Sequence, residues 1–309
     1  MRVAHALVDN VGKVLAGKRE AVELAVTALL ARGHLLVEDV PGVGKTTLAR
    51  ALARSLGVDF TRLQFTSDLM PADVLGGNVL DPQTGTFRFR RGPVFTHVLL
   101  ADEINRTTPR TQSALLEAME ERRVSIDAQT HTLEEPFFVL ATQNPEEFYG
   151  TYPLPESQLD RFLLRIHVGY PAADVERQIL MRHRGRDPGE GLPVVATKEE
   201  LLQAQRSVDD VHVDEDLVHY LHAIVLATRE SKLLSLGAST RGALAFERAA
   251  RARALVSGRV FVTPDDVQAL AVPALAHRVR VASLHEASQS RHDAARVIRE
   301  ILSRLPIPV

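Results

Sequence analysis

Short hydrophobic runs alternate with longer amphipathic segments over roughly the first half of the chain. The runs are apolar throughout rather than at every second position, which is typical of parallel strands buried on both faces of a sheet. They cover residues 34–37, 60–65, 96–101, 137–142 and 163–168, and helical patterns separate them at 20–32, 46–56 and 110–122. Alternation of this kind predicts an α/β layered fold built on a parallel sheet.

The pattern becomes helical beyond Tyr170. A loop rich in Gly, Pro and Arg precedes predicted helices at 214–230, 240–257 and 291–305. A further helix is expected to start at Thr263, because a Thr cap, a Pro in the first turn and two acids near the positive end of the dipole favour a helix start. We therefore expect an α/β domain over residues 1–190 and a smaller all-helical domain over residues 191–309.

A glycine-rich loop follows the first predicted strand and precedes a helix. Its residues are Asp39, Val40, Pro41, Gly42, Val43, Gly44, Lys45, Thr46 and Thr47. Such a loop turns successive backbone N–H groups toward phosphate oxygens, and the helix N-terminus adds positive charge. Lys45 is expected to reach the terminal phosphates of a nucleotide and Thr46 to hold Mg²⁺. The usual pattern has Gly where this chain has Asp39.

Two carboxylates end the third hydrophobic run. In a phosphate-loop enzyme, Asp102 would bind Mg²⁺ and Glu103 would orient the attacking water. The fourth run ends in Gln143, Asn144 and Pro145, where the amide of Asn144 could help Glu103 position that water. Asn before Pro is also a common turn former. Two arginines, Arg161 before the fifth run and Arg241 at a helix start, are candidates for contacts with a phosphate.

These segments together resemble the AAA+ ATPases and, within them, the MoxR family. The matching stretches are 34–47, 98–123, 141–145, 154–170 and 237–243. The resemblance implies a phosphate-loop NTPase fold with a five-stranded parallel sheet in the order 5-1-4-3-2 and a C-terminal helical lid. It implies ATP and Mg²⁺ as cofactors and assembly as a homo-oligomeric ring, usually a hexamer, with ATP between subunits.

The resemblance also assigns roles to single residues. Asn144 corresponds to the first sensor, and Arg241 to a second sensor that reads the γ-phosphate of its own subunit. Arg161 corresponds to an arginine finger that reaches the neighbour's ATP, with Arg165 as the alternative. An insert at about 72–95 and a hairpin at about 122–136 resemble elements that project toward the pore in related rings, and the role of Phe87–Arg91 in the first of them stays open.

The family is thought to act as chaperones that remodel or mature metalloenzymes and other complexes. A protein client and a partner with a von Willebrand factor A domain are therefore expected from the resemblance alone. The alternatives are a nucleic-acid motor and a nucleotide-switched scaffold without catalysis.

Composition changes this outline in a few respects. The chain has 37 Lys and Arg against 39 Asp and Glu, and segment 124–135 contains acids but no Lys or Arg, which weighs against a nucleic-acid substrate. The absence of cysteine excludes thiolate metal sites. Of only five lysines, one is Lys45. With no apolar stretch long enough to span a membrane and no leader pattern, we expect a cytoplasmic protein.

Overall fold

The computed structural model describes residues 1–127, 129–144, 150–182, 189, 191–282 and 287–308 of the chain. Pro145 and much of the loop before residue 191 lie outside the described residues. The first part contains α1 (Arg2–Gly12), α2 (Arg19–Leu30), β1 (Leu35–Glu38), α3 (Lys45–Leu56), β2 (Phe60–Gln64), α4 (Pro71–Leu75), β3 (Gly76–Asp81), β4 (Thr86–Arg91), β5 (Val98–Asp102), a 3₁₀ turn (Ile104–Arg106), α5 (Pro109–Glu121), β6 (Arg123–Ile126), β7 (Gln129–Thr132), β8 (Phe138–Gln143), α6 (Glu156–Leu159), β9 (Leu164–Ile166) and α7 (Ala173–Arg182). The second part contains α8 (Lys198–Ser207), α9 (Glu215–Glu230), β10 (Leu234–Leu236), α10 (Thr240–Val256), α11 (Pro264–Leu275), β11 (Arg280–Val281) and α12 (Ala287–Arg304).

Five strands form a parallel sheet in the order β2-β5-β8-β1-β9. Counted along the chain as strands 1 to 5, this is the predicted order 5-1-4-3-2 read from the other edge, so the predicted fold class is confirmed. The central strand β8 pairs with β5 on one side and β1 on the other, with Leu140 opposite both Leu100 and Leu35. The carboxyl ends of β1, β5 and β8 therefore meet at one edge of the sheet.

Strands β1, β5, β8 and β9 are buried on both faces, as the continuous hydrophobic runs predict, whereas the edge strand β2 is only partly buried. Leu35 and Val37 of β1 pack into a cluster with helices α1, α2 and α3, whereas Leu36 between them packs into a second cluster with α5. Side chains alternate across a strand, so one strand serves both layers. The first cluster also includes Phe246 of α10, and it continues through the helical part of the chain. The two predicted domains therefore share one core.

Helix α10 docks the helical part onto the first part of the chain. It packs against α2, and the buried Gln205 of α8 donates a 2.7 Å hydrogen bond to the carbonyl of Leu29 at the end of α2. One correction concerns the all-helical description. β10 and β11 form a two-stranded antiparallel sheet, with Leu234 opposite Val281. These strands have three and two residues, which is too short for the alternation of apolar and polar residues that predicts a strand.

Two hairpins extend from the sheet at the predicted inserts. β3 pairs with β4, and β6 pairs with β7. They contact each other, because Phe89 stacks on His131 at 3.8 Å and Asn78 donates to Asp127 at 2.7 Å. Phe87, two residues from Phe89 on the same strand, is 71% exposed. One aromatic of the Phe/Arg alternation therefore packs and the other faces solvent.

His34 connects three elements at the amino edge of the sheet. Its Nδ1 accepts from the backbone N–H of Val139, and its Nε2 donates to the carbonyl of Met119, at 3.0 and 3.1 Å. Burial lowers the pKa of this imidazole to about 4. The folded protein therefore holds His34 neutral, while the unfolded chain protonates it near pH 6.5.

We predict that this difference makes stability depend on pH. Between about pH 6.5 and pH 4, His34 is protonated in the unfolded chain but stays neutral in the folded protein. This difference should lower the unfolding free energy of the protein by about 3 kcal/mol over that range. Urea unfolding of the wild type and of His34→Gln at pH 7, 5.5 and 4.5 measures this contribution. We expect the gap between the two proteins to narrow as pH falls. A gap that does not change with pH would contradict a neutral buried His34.

Candidate functional site

The glycine-rich loop connects the end of β1 to the start of α3. Gly42 and Gly44 have left-handed φ values of 87° and 97°, which L side chains rarely adopt. These turns bring the loop round to the N-terminus of α3, where unpaired backbone N–H groups favour anions. Lys45, the first residue of α3, donates a 2.7 Å hydrogen bond to the carbonyl oxygen of Asp39 at the start of the loop. The hydrogen bond from Lys45 therefore joins the last part of the loop to its first residue.

Asp39 occupies the loop position where the usual pattern has Gly, and its side chain makes several hydrogen bonds. Its Oδ2 accepts from the backbone N–H groups of Val168 and Gly169 at 2.7 and 2.6 Å, just after β9, and its Oδ1 accepts from Val40 at 2.9 Å. Its own N–H donates to the carbonyl of Gln143 in β8. This buried carboxylate fastens the loop to the chain that leaves the sheet, which is a structural reason for a side chain there.

Asp102 lies at the carboxyl end of β5, beside the loop. Its Oδ1 accepts from the hydroxyl of Thr142 in β8 at 2.7 Å, and its Oδ2 accepts from Arg62 in β2 at 2.6 Å. Arg62 was not found from the sequence. The signal was available, because Arg62 and Gln64 interrupt the hydrophobic run 60–65 at positions two apart, on one face of a strand. The structure places Gln64 opposite Asp102.

Glu103 has a left-handed backbone, with φ 57°, although it is not glycine. Strain of this kind clusters at functional sites. Its carboxylate accepts from Gln64 Nε2 at 2.6 Å and pairs with Arg106 Nε at 3.0 Å, while its N–H donates to Thr142. Two neighbours thus hold the carboxylate of Glu103 in one position.

Lys45, Asp102 and Glu103 form one electrostatic group. Burial lowers the pKa of Lys45, and the carboxylates of Asp102, Asp39 and Glu103 oppose that shift. Asn144 follows β8, between the strand that carries Asp102 and the strand that leads into the loop, and it is buried. The predicted loop residues, both carboxylates and Asn144 are therefore gathered at the carboxyl edge of the sheet.

The chemistry of these residues fits the expected cofactors. The open left-handed turn at Gly42, with no atom within 4 Å of an added Cβ, suits close approach of a phosphate to the backbone. A hydroxyl at Thr46 and a carboxylate at Asp102 are oxygen ligands that Mg²⁺ prefers. Any direct use of Asp102 by a metal would compete with its ion pair to Arg62.

Arg161 and Arg241 lie away from the phosphate loop, and both form ion pairs with the same carboxylate. Glu120 pairs with Arg161 at 3.2 Å and with Arg241 at 2.9 Å. Glu120 is near the end of α5, whose 13 residues run about 20 Å away from the carboxyl edge where the helix begins. The two arginines line a cavity of about 670 Å³, and no predicted loop residue, Asp102, Glu103 or Asn144 lines it. The structure brings the arginines together, but not to the phosphate loop of the same chain.

An ion pair between Asp160 and Arg278 holds the two segments that carry Arg161 and Arg241. The buried guanidinium of Arg278 donates to the Asp160 carboxylate at 2.6 Å and to the carbonyls of Phe162 and Leu163 at 2.6 and 3.0 Å, on either side of Arg161. The other oxygen of Asp160 accepts from Ser239, the N-cap of the helix that begins with Thr240 and Arg241. Sequence reasoning missed this pair, because nothing local marks two residues 118 apart as partners.

The alternative finger, Arg165, is an internal residue. Its guanidinium pairs with Glu38 at 3.2 Å, and the two side chains are 7% and 3% exposed. Arg165 lies in β9, next to β1, so it is enclosed within the sheet. A residue in this position cannot reach a second subunit without breaking the core.

Comparison with known proteins agrees with the fold. Residues 34–164 match the family described as "ATPase family associated with various cellular activities (AAA)", and residues 226–301 match the AAA lid domain. A five-stranded parallel sheet, a phosphate loop, paired acids and a helical lid define an AAA+ ATPase.

Three similar proteins cover nearly all of the chain. The uncharacterized protein YeaC of Bacillus subtilis is 48% identical over 98% of this chain and 94% of its own length. Chaperone MoxR1 of Mycobacterium tuberculosis is 40% identical over 97% of this chain and 81% of its own. The crystal structure of a candidate ATPase from Cytophaga hutchinsonii has a TM-score of 0.86 at 34% identity, and covers 98% of this chain and 94% of that one. The chain belongs to the MoxR family of AAA+ ATPases, whose activity is the hydrolysis of ATP. Within the described residues, no helix has the length and apolar character needed to cross a membrane.

We predict that Arg165 supports the fold rather than the chemistry. Arg165→Met should lower the unfolding free energy by about 3–5 kcal/mol, because it leaves Glu38 charged, buried and unpaired. The double variant Glu38→Gln with Arg165→Met should recover most of that loss. Urea unfolding measures both. Unchanged stability in Arg165→Met, with ATPase activity lost, would return Arg165 to the role of finger.

Proposed function

We propose that this chain forms a homo-oligomeric ring, with six subunits, in which each ATP lies between two subunits. One subunit supplies the phosphate loop, Asp102, Glu103 and Asn144, and the next supplies Arg161 and Arg241. One observation carries the proposal: both arginines meet on Glu120, far from the loop of their own chain. A single chain holds two half-sites on opposite edges of its sheet, and a head-to-tail ring joins them.

On the loop side, each residue has a separate task. Backbone N–H groups of residues 41–47 and the ammonium of Lys45 bind the phosphates, and Lys45 gives up its hydrogen bond to Asp39 when it does so. Thr46 and Asp102 hold Mg²⁺, which supplies positive charge to the phosphate oxygens when bound. Glu103 orients the attacking water, and Asn144 assists it. Gln64 and Arg106 must release Glu103 for this step.

On the other side, two arginines neutralise charge that develops on the transferred phosphate. An arginine finger is typically worth about 10³–10⁵ in rate. Arg241 acts toward the neighbour's nucleotide rather than within its own subunit, as the family resemblance implied, because its helix is docked at the Glu120 end of α5. Glu120 serves as the counter-ion of both guanidinium groups while no phosphate is present.

The ring's work is chaperone-like remodelling of a protein client. Similarity to Chaperone MoxR1 supports this role. We include in the proposal a partner with a von Willebrand factor A domain and a cytoplasmic location, both carried over from the family resemblance. The exposed Phe87 and the hairpins β3–β4 and β6–β7 offer the surfaces for a client.

We predict that mixing inactive subunits restores activity. Rings of Arg161→Ala, of Arg241→Ala or of Lys45→Ala alone should each lose about 10³-fold or more of ATPase activity. Mixed with Lys45→Ala, either arginine variant should recover turnover, because about a quarter of random interfaces then join an intact loop to intact arginines. Phosphate release by size-checked rings measures the recovery.

The control replaces Lys45→Ala by the double variant Lys45→Ala with Arg161→Ala, which should restore nothing to Arg161→Ala rings. If Arg161→Ala recovers in the first mixture and Arg241→Ala does not, Arg241 acts on its own subunit's nucleotide and that part of the proposal is wrong. If neither recovers in rings of verified size, the shared site itself is wrong.

A further inference from the structure

The cavity beside Glu120 extends well beyond the two arginines of the proposed nucleotide site. Its lining comes from α5, α10, the segments before β1 and β9, and Asp209 and Arg278. Its charged residues are Arg32, Arg122, Arg161, Arg241, Arg248, Arg251 and Arg278, with Glu120, Asp160, Asp209 and Glu247. Seven arginines and four carboxylates line a space of about 670 Å³, and a fifth carboxylate, Glu135, pairs with Arg122 at 2.9 Å, so the arginines still outnumber the carboxylates by two.

Arg248 is the one arginine of this lining for which the described residues show no direct ion pair. The other six arginines are paired: Arg32 with Asp209, Arg122 with Glu135, Arg251 with Glu247, Arg278 with Asp160, and both Arg161 and Arg241 with Glu120. Among the described residues, none makes a hydrogen bond or ion pair with the guanidinium of Arg248, an exposed residue that lines the cavity. Partial burial of the guanidinium lowers the pKa of Arg248, and so do Arg32 and Arg122, whose effects exceed those of Asp209 and Glu247. Arg248 is thus surrounded mainly by like charge.

Two of the surrounding arginines occupy unusual backbone positions. Arg32 and Arg122 follow the last turns of α2 and α5 with left-handed φ values of 54° and 52°. Glycine is the usual residue at such positions. Arg122 Nη2 also donates to the carbonyl of Arg32 at 2.9 Å, which ties the two helix ends together. Both helix ends therefore carry arginine into the same cavity at a conformational cost.

Arg248 is separated from the proposed nucleotide contacts. It lies seven residues after Arg241 on α10, which is about two helical turns, so both project from one face about 10 Å apart. Leu244 and Ala245 line the wall between them. The cavity therefore has one end at Arg161 and Arg241 and another end at Arg32, Arg122 and Arg248.

We propose that the end of the cavity formed by Arg32, Arg122 and Arg248 is a second binding site for a phosphate-bearing anion. Planar guanidinium groups bind phosphate oxygens bidentately, and several around one cavity match a multiply charged phosphate. The anion would satisfy Arg248 and relieve its repulsion from the other two. The phosphate belongs either to a free anion or to the neighbouring subunit's nucleotide.

The test uses the full-length chain with Lys45→Ala, which disables the phosphate loop. Calorimetric titration with sodium pyrophosphate at low ionic strength should show binding, and adding Arg248→Ala should weaken it at least tenfold. Arg299→Ala, an exposed arginine on α12, is the matched control and should change the affinity less than twofold. Arg248→Gln, which keeps a long side chain, should behave like Arg248→Ala.

Melting temperature supplies a second readout. Pyrophosphate should raise the melting temperature of the Lys45→Ala chain but not that of the chain with Arg248→Ala. Without anion, Arg248→Ala should melt no lower than its parent, because the arginine makes no bond to protein. No binding by the Lys45→Ala chain, equal binding with and without Arg248, or a lower melting point of Arg248→Ala without anion would each overturn the proposal.

A third measurement identifies the source of the phosphate, and it alone rests on the ring proposed above. If Arg248→Ala rings lose ATPase activity and recover it on mixing with Lys45→Ala, the phosphate is the neighbour's. If their ATPase is unchanged while pyrophosphate binding is lost, the ligand is a free anion. The titration needs no ring, so failure of the shared nucleotide site leaves its result intact.

Discussion

A buried ion pair between Asp160 and Arg278 determines where the lid lies on this molecule. Five protein oxygens accept from the guanidinium of Arg278, including three main-chain carbonyls on the segment around Arg161. Removing either partner of such a pair leaves a buried charge, at a cost of about 3–5 kcal/mol. The lid is therefore held to the amino edge of the sheet, and α10 brings Arg241 to Glu120.

The consequence is that one chain divides its chemistry between two edges. Parallel strands collect the phosphate loop, Asp102, Glu103 and Asn144 at their carboxyl ends, as in other doubly wound sheets. The lid and α6 collect the arginines at the opposite end, where α5 supplies a temporary counter-ion. In the proposed ring, hydrolysis would depend on contact between subunits, and any motion of the lid would move the groups that the neighbour's nucleotide needs.

The sequence was most informative where function follows from local order. A strand, a glycine-rich loop and a helix are consecutive, so the phosphate loop and its Lys45 could be read directly, as could the acids that end β5. The signal for α1 was also present, because Ala4, Leu7, Val8 and Val11 recur at helical spacing and are buried, yet no element was predicted there.

Long-range partners could not be read in the same way. Glu120 is one carboxylate among many on an amphipathic helix, and only the docked lid shows that it receives two arginines. The expectation that Arg241 serves its own subunit follows from family order along the chain, whereas its position depends on long-range contacts: the Asp160–Arg278 pair and the packing of α10 on α2. In the sequence, Asp39 is only a departure from the usual motif. The structure shows that its carboxylate accepts hydrogen bonds from Val168 and Gly169 and so fixes the loop to the segment after β9.

The most direct measurement is the structure of the assembled Glu103→Gln ring with ATP and Mg²⁺ bound, since that variant should bind ATP and hydrolyse it very slowly. We predict that Arg161 and Arg241 of one subunit both leave Glu120 and lie within hydrogen-bonding distance of the γ-phosphate held by the loop of the next subunit. An Arg241 that contacts the γ-phosphate of its own chain, or an Arg161 still paired with Glu120 in every ATP-bound interface, would contradict it.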